Sequence, residues 1–172
     1  MAIRGHGNRC VCLLCSDTED HAFGIGQIGK SFRNEITTGQ FIFRTLEFEQ
    51  AEIEYFFDPN KTDWEQLFKS WQDCMYHFVH ETLGINADKL RWRRHSDQER
   101  SFYSRDTYDL EYEFPFGWGE LWGIASRTNY DLTQHQNESK VKQEYIDPVQ
   151  NKRYIPYVVE PSLGVERLLL VL

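Results

Sequence analysis

Basic charge is what this 172-residue chain has least of: 19 Lys and Arg stand against 27 Asp and Glu, a formal net charge of −8. Proteins held to nucleic acid by general attraction to phosphates carry the opposite balance, so any such contact here is local or supplied from elsewhere. Long apolar runs are missing as well. No stretch approaches the roughly 18 consecutive apolar residues that span a bilayer. The Met1–Gly7 start has one Arg and no apolar segment behind it, which is not the pattern of a secretory signal. These absences predict a soluble, cytoplasmic protein with no membrane partner. Internal repeats and low-complexity tracts are also absent, and nothing reads as a long linker.

Cysteine is sparse, and three of the four residues crowd together as Cys10, Cys12 and Cys15, with Cys74 alone. Thiolates at this spacing could hold zinc with His6 or His21 as a fourth ligand. One short cluster without a second Cys/His pair is a weak metal signature, and reduced thiols are the simpler reading. Cys74 falls inside a helical pattern and is expected to be a buried small hydrophobe.

What is present suffices for one folded domain. Hydrophobic residues make up 40% and aromatics 15%, enough for a core at this length. Residues 1–21 are polar and without periodicity and are expected to be loop or disordered. Residues 22–172 carry the pattern of a domain. Phe23–Ile28 is a short apolar strand, and Ile42–Phe57 alternates over a long one after a turn at Thr37–Gly39. Because strand side chains repeat every second residue, one face of that strand would hold Ile42, Arg44, Leu46, Phe48, Gln50 and Glu52. A cation, an aromatic ring and an acid on one face suit the floor of a polar pocket.

A helix follows. Thr62 and Glu65 have capping-box spacing, an apolar stripe runs from Trp64 through Phe68, Trp71, Met75 and Val79 to Leu83, and Gly84 closes it. Leu90–Trp92, Tyr108–Phe114, Glu120–Ala125 and Arg153–Val159 read as further strands. A final helix starts near Gly164 and runs to Leu172, apolar enough to demand burial. Many strands with two helices imply an α+β fold, an antiparallel sheet with flanking helices. The dense basic group Lys89, Arg91, Arg93 and Arg94 reads as a solvated face rather than a nucleic-acid patch.

Three segments carry chemistry. Arg33-Asn34-Glu35 lies in GQIGKSFRNEIT, Glu47–Glu52 in FIFRTLEFEQAE, and Glu160–Arg167 is EPSLGVER. They are similar to motif 2 (strand, F-R-x-E, loop, strand) and motif 3 (a G-x-x-R helix) of class II aminoacyl-tRNA synthetases. With FPFGWGELWGIASRTNYDL and YIPYVVEPSLG between them, the chain from Ala22 to Leu172 resembles glycyl-tRNA synthetase, from motif 2 to the start of motif 3.

The resemblance implies a reaction: ATP and glycine give glycyl-adenylate and pyrophosphate, and the glycyl group passes to tRNA(Gly). Arginines suit this chemistry because a planar fork holds two phosphate or carboxylate oxygens. By resemblance, Arg33 bridges the α-phosphate and the glycine carboxylate, and Arg167 closes over the nucleotide; these are the implied catalytic pair. Asn34, Glu35, Phe43, Arg44, Phe48, Glu120, Leu121 and Gly164 complete the implied ATP site. In that site Arg44 reaches the γ-phosphate, Phe48 stacks under adenine, and Glu120 carries the Mg2+ that accompanies ATP. Gln50, Glu52, Arg127, Glu160 and Ser162 are the implied glycine site, in which Glu52 and Glu160 cradle the ammonium and a tight wall excludes a methyl group.

Against the family pattern, motif 1 (the dimer-forming element), the upstream acidic strand and the anticodon-binding domain are expected to be missing. Leu46 stands where an arginine is usual. Two other readings share these features: a non-catalytic synthetase-like binding subunit, and an aminoacyl transferase to a carrier other than tRNA. Retention of Arg33, Glu52, Glu160 and Arg167 argues against the first. Both ends reading as cut rather than redesigned favours a partial glycyl-tRNA synthetase over the second. A sheet without motif 1 is expected to expose an edge. The isolated chain should therefore associate in solution; sedimentation as a monomer with a sharp two-state melt would refute this.

Overall fold

The structure, a computed structural model, describes residues 15–17 and 22–172. The irregular structure expected for 1–21 lies outside the described residues apart from Cys15–Asp17, as do Cys10 and Cys12. Within the described residues, nine strands and three α-helices follow in order: β1 (Cys15–Asp17), β2 (Ala22–Phe32), β3 (Glu47–Phe57), α1 (Trp64–His77), β4 (Leu90–Arg94), β5 (Asp106–Phe114), β6 (Gly117–Thr128), α2 (Tyr130–Ser139), β7 (Tyr145–Ile146), β8 (Arg153–Tyr154), β9 (Tyr157–Gly164) and α3 (Val165–Leu169). Seven strands form one sheet in the order β1-β2-β3-β9-β6-β5-β4. Every pairing within it is antiparallel. The late strand β9 inserts between β3 and β6, which brings the sequence segments 47–57 and 157–164 side by side.

The two faces of the sheet differ in kind. On one, α1 and the π-helical turn that extends it (Phe78–Thr82) cover Phe57, Leu110, Ile124, Val159 and Leu163 with Phe68, Met75 and Val79. This is the ordinary burial of an amphipathic helix on an apolar sheet face, and it is the main source of cohesion. The other face carries Gln50, Glu52, Glu160, Ser162 and Arg127.

Several local expectations need correction. The alternating segment does not start at Ile42: β3 begins at Glu47, and residues 39–44 form a tight loop closed by a Gly39–Arg44 bridge, with Gln40 and Phe41 at φ of 55° and 56°. Alternation in sequence persists there by coincidence, because the chain turns instead of extending. Thr62 does not cap α1. Asp63 does, its side chain accepting from the backbone N–H groups of Glu65 and Gln66; an ionised acceptor at a helix N-terminus also meets the helix dipole favourably.

Cys74 is exposed rather than buried. It lies on the outer side of α1, while Phe68, Gln72 and Met75 face inward. The segment 153–159 is not one strand: Ile155-Pro156 separates β8, which pairs only with β7, from β9. The helix α2 has no expectation behind it; its stripe is weak and none of its residues is buried. The final helix spans five residues instead of reaching Leu172, with Leu168 and Val171 against the core and Leu169 and Leu172 exposed.

Two irregularities in β6 govern the polar face. Between Leu110 and Glu111 the register shifts so that Glu111 opposes Glu120 while Leu110 opposes Trp122, which leaves Leu121 as the extra residue of a β-bulge. A bulge re-aims the side chains on either side of it. Here it lets Leu121 sink into the core at 1% exposure while Glu120 turns to the face that carries Gly123. A second shift, between Ser126 and Thr128, makes Arg127 the extra residue. Thr128 sits beyond it at a φ of 56°, uncommon for a β-branched residue.

The capping difference is directly measurable. Asp63→Ala should lower the unfolding free energy by about 1 kcal/mol, and Thr62→Ala should change it by much less. Urea midpoints at unchanged m-value, followed by circular dichroism, check both.

Candidate functional site

An open, shallow groove runs along the polar face between the β2–β3 loop and the β9–α3 junction. Its walls bring together Arg33, Glu35, Phe43, Arg44, Phe48, Gln50, Glu120, Ser162, Gly164 and Arg167, along with Ile42, named above on the strand face, and Thr45 and Glu166, which sequence reasoning did not single out. Glu166 is a structural tie. Its carboxylate accepts from the backbone N–H of Glu49 at 2.7 Å and holds α3 to β3.

Each cation in the groove is already oriented. The Arg33 guanidinium lies 5.2 Å from the Phe48 ring centre, and that of Arg167 lies 4.3 Å from Phe43. These are cation–π distances, and the stacking holds each planar fork without neutralising it. Arg167 also donates from Nη1 to the Glu120 carboxylate and to its backbone carbonyl, both at 2.9 Å, and from Nε to the Phe43 carbonyl at 3.3 Å. Phe43 packs edge-on against Phe114 and Phe116, each ring centre at 5.0 Å. It also rests on Gly119, where an added Cβ would stand 2.8 Å from its ring. The loop thus stays over the sheet because position 119 carries no side chain.

Arg44 is not on the β3 face, as the turn at 39–44 requires; it reaches back to Glu35, Nη1 to Oε2 at 3.4 Å. Asn34 is exposed and outside the groove lining, and Leu121 is in the core on the opposite face, so only its backbone borders the polar side. Leu46 is half exposed.

Deeper along the same face lies an acidic cradle. Glu52 pairs across the strands with Ser162, and Ser162 with Gly123. The Ser162 hydroxyl donates to Glu52 at 3.3 Å and accepts from the Gln50 amide at 2.5 Å. Arg127 donates to Glu160 through Nη1 and to Asp131 of α2 through Nε, the latter at 2.7 Å. Its 9% exposure makes this a buried ion pair, in which a guanidinium is held charged by its two acids.

The charges do not balance. Burial, with repulsion from Glu160, pushes the Glu52 carboxyl above the usual carboxylate range. Sequence reasoning missed Glu54, two residues on and on the same face, which burial and Glu160 push up to about 8. The signal was available: Gln50, Glu52 and Glu54 continue one period-2 row. Farther along, Asp109 is also raised, by burial and by Glu120, although His95 and Arg93 contact it at 2.7 and 3.0 Å.

The basic group at 89–94 is neither a free patch nor a plain solvated face. Arg91 pairs with Glu111, Arg93 with Asp109, Glu111 and Glu99, and Arg94 with Asp106.

No group of three or more His, Cys, Asp or Glu among the described residues is placed to hold a metal by itself. A magnesium ion delivered with a triphosphate needs only one or two protein carboxylates. Glu120 fits that role: one oxygen faces Arg167, and the other stands 3.2 Å from where a Cβ on Gly123 would be, with Asp109 at 3.7 Å from the same point.

An antiparallel sheet thus carries a cationic groove leading into an acidic cradle, and comparison with known sequences finds relatives of the chain. The chain is homologous to part of the glycine–tRNA ligases. It is 57% identical over 148 residues to the glycine–tRNA ligase of Clostridium acetobutylicum, covering 86% of this chain and 31% of that protein. The glycine–tRNA ligase of Lachnoclostridium phytofermentans is 59% identical over the same shares, and that of Mesoplasma florum 52% identical over 87% of this chain and 33% of its own length. The chain thus spans about a third of the length of the curated relatives it matches. No family model matches it.

Arg127 is the cation hydrogen-bonded within the cradle, so its removal leaves buried carboxylates unpaired. Arg127→Met should cost about 3–5 kcal/mol at neutral pH. Carboxylates without that cation have folded pKa values raised above the unfolded ones, so the loss should grow as pH rises through the carboxylate range and shrink in acid. Urea unfolding of both proteins across pH checks the sign.

Proposed function

We propose that this face activates glycine with ATP, as the catalytic part of a glycine–tRNA ligase, and passes the glycyl group to tRNA(Gly). The observation that carries the reading is the continuity of the groove with the cradle: Gln50 and Ser162 line the groove and, through their hydrogen bonds, also reach Glu52. An adenylate is a nucleotide joined to an amino acid, and a site for it needs both parts on one surface.

In this reading the triphosphate lies in the groove. Arg33 holds the α-phosphate and the glycine carboxylate, Arg44 exchanges Glu35 for the γ-phosphate, and Arg167 covers the base, with Phe48 beneath it. Asn34 and the backbone at Leu121 and Gly164 border the nucleotide. Charge moves from the α-phosphate to the leaving pyrophosphate during attack, so catalysis is alignment and electrostatic stabilisation by groups already in place. Mg2+ bound beside Glu120 would supply further positive charge to the phosphate oxygens.

Glycine offers an ammonium and a carboxylate and nothing else. Glu52 and Glu160 receive the ammonium, Arg127 keeps Glu160 in position, and Ser162 stands at the α-carbon. Loss of contact alone separates amino acids differing by one methylene by only about 1–3 kcal/mol, so rejection of alanine must come from lack of space. Ser162 stiffens that wall by donating to Glu52 and accepting from Gln50.

Glycine-dependent ATP–pyrophosphate exchange tests the reading, with alanine and serine as controls. Exchange is expected with glycine only, and Arg33→Ala should lower it about 10²–10³-fold, the usual cost of one transition-state donor. A folded sample without glycine-dependent exchange would overturn the proposal for this chain.

A further inference from the structure

The cradle contains one carboxylate, Glu54, to which glycine activation gives no role. The register that pairs Glu52 with Ser162 and Tyr55 with Val159 sets Glu54 directly opposite Glu160. Like charges facing each other across an antiparallel pair repel. Their carboxyl groups also lie within hydrogen-bonding reach of each other. Ionised carboxylates only accept, so two of them this close are relieved when one carries a proton.

The groups around Glu54 define the charge balance. From its own strand comes Glu52, from β9 Glu160, and from β6 Arg127. Across β2 its partner is Ile25, which is uncharged. From α2, Asp131 takes a share of Arg127. Three carboxylates therefore converge while the nearest guanidinium is already divided between Glu160 and an outside acid. Glu54 itself is half buried, where an unpaired charge is costly.

We infer that Glu54 and Glu160 share one proton while the cradle is empty, and that a primary ammonium group entering it displaces that proton. This rests on the glycine reading only in naming glycine as the ammonium. In the exchange the O–H bond of the shared carboxyl breaks, the proton leaves to solvent, and the ammonium takes its place against Glu160, flanked by Glu52 and Glu54. The charge of the cradle is the same before and after. Glu54 is thus a positioning and selectivity residue: it sets how many positive charges the cradle demands, so a ligand without an ammonium leaves the proton in place. One displaced proton also makes ammonium binding rise about tenfold per pH unit below the carboxyl's titration and level off above it. The raised titration of Glu54, at about 8, sets where the levelling falls.

The test follows the infrared band of a protonated carboxyl in the full 172-residue chain, across pH, with methylammonium, glycine and N-acetylglycine as probes. The band should persist at neutral pH, vanish with a midpoint of about 8, and be absent from Glu54→Gln. At neutral pH methylammonium and glycine should abolish it, and N-acetylglycine, which has no ammonium, should not. A wild-type chain with no such band, or the same band in Glu54→Gln, would overturn the shared proton. A band that methylammonium leaves untouched would overturn the displacement. Loss of the band with methylammonium but not with glycine would uphold this inference and overturn glycine as the ligand. If Glu54→Gln does not fold, the wild-type titration and the methylammonium response decide alone.

Discussion

The buried pairing of Arg127 with Glu160 is the constraint on which the polar face depends. A sheet covered by a helix on one side and bearing carboxylates on the other has every reason to bend those acids out to water. Arg127 prevents this by holding Glu160 from β6 while its other nitrogen is fixed by Asp131. The backbone accommodates it with an extra residue and a Thr128 φ of 56°, an unfavourable geometry for threonine. A buried ion pair of this kind adds little net stability over a well-packed apolar pair, so its value is geometric. It keeps negative charge concentrated at a place where an ammonium could neutralise it.

The groove beside the cradle is built on the absence of side chains. Gly119 admits Phe43, and Phe43 in turn seats Arg167. Gly123 leaves open the space toward which Glu120 and Asp109 both reach. The cationic forks are therefore positioned by rings and by missing Cβ atoms rather than by full neutralisation. That leaves them able to take phosphate or carboxylate oxygens at low reorganisation cost. The loosest of these contacts lies beside the loop at 39–44, where Arg44 and Glu35 form a long, partly exposed pair that an anion could replace.

Much of the architecture is legible in the residues themselves. Period-2 alternation marks β3, short strand-like segments mark β4, β5 and β6, and the 3.6-residue stripe marks α1, because sheet and helix each bury one face against the other. One groove gathers Arg33, Phe48, Gln50, Glu120, Ser162 and Arg167 from segments far apart in sequence. Failures fall where local pattern and tertiary geometry part. Ile42–Leu46 alternates but turns, since a loop can mimic a strand's periodicity. Asp63 displaces Thr62 as the cap because two acceptors one residue apart are equally plausible in sequence. Cys74 is apolar in type but lies on the wet side of its helix. Weakly patterned α2 gives no signal at all, although its Asp131 orients Arg127.

By itself the sequence determined the α+β class and the apolar helix-covered face, because periodicity and side-chain chemistry are local properties. Only the tertiary structure decided which side Glu120 faces, since a bulge at Leu121 sets that. The tertiary structure also placed Glu54 against Glu160, which depends on the register between strands more than 100 residues apart in sequence. Register and bulges arise from pairing with distant segments. No window of sequence contains them.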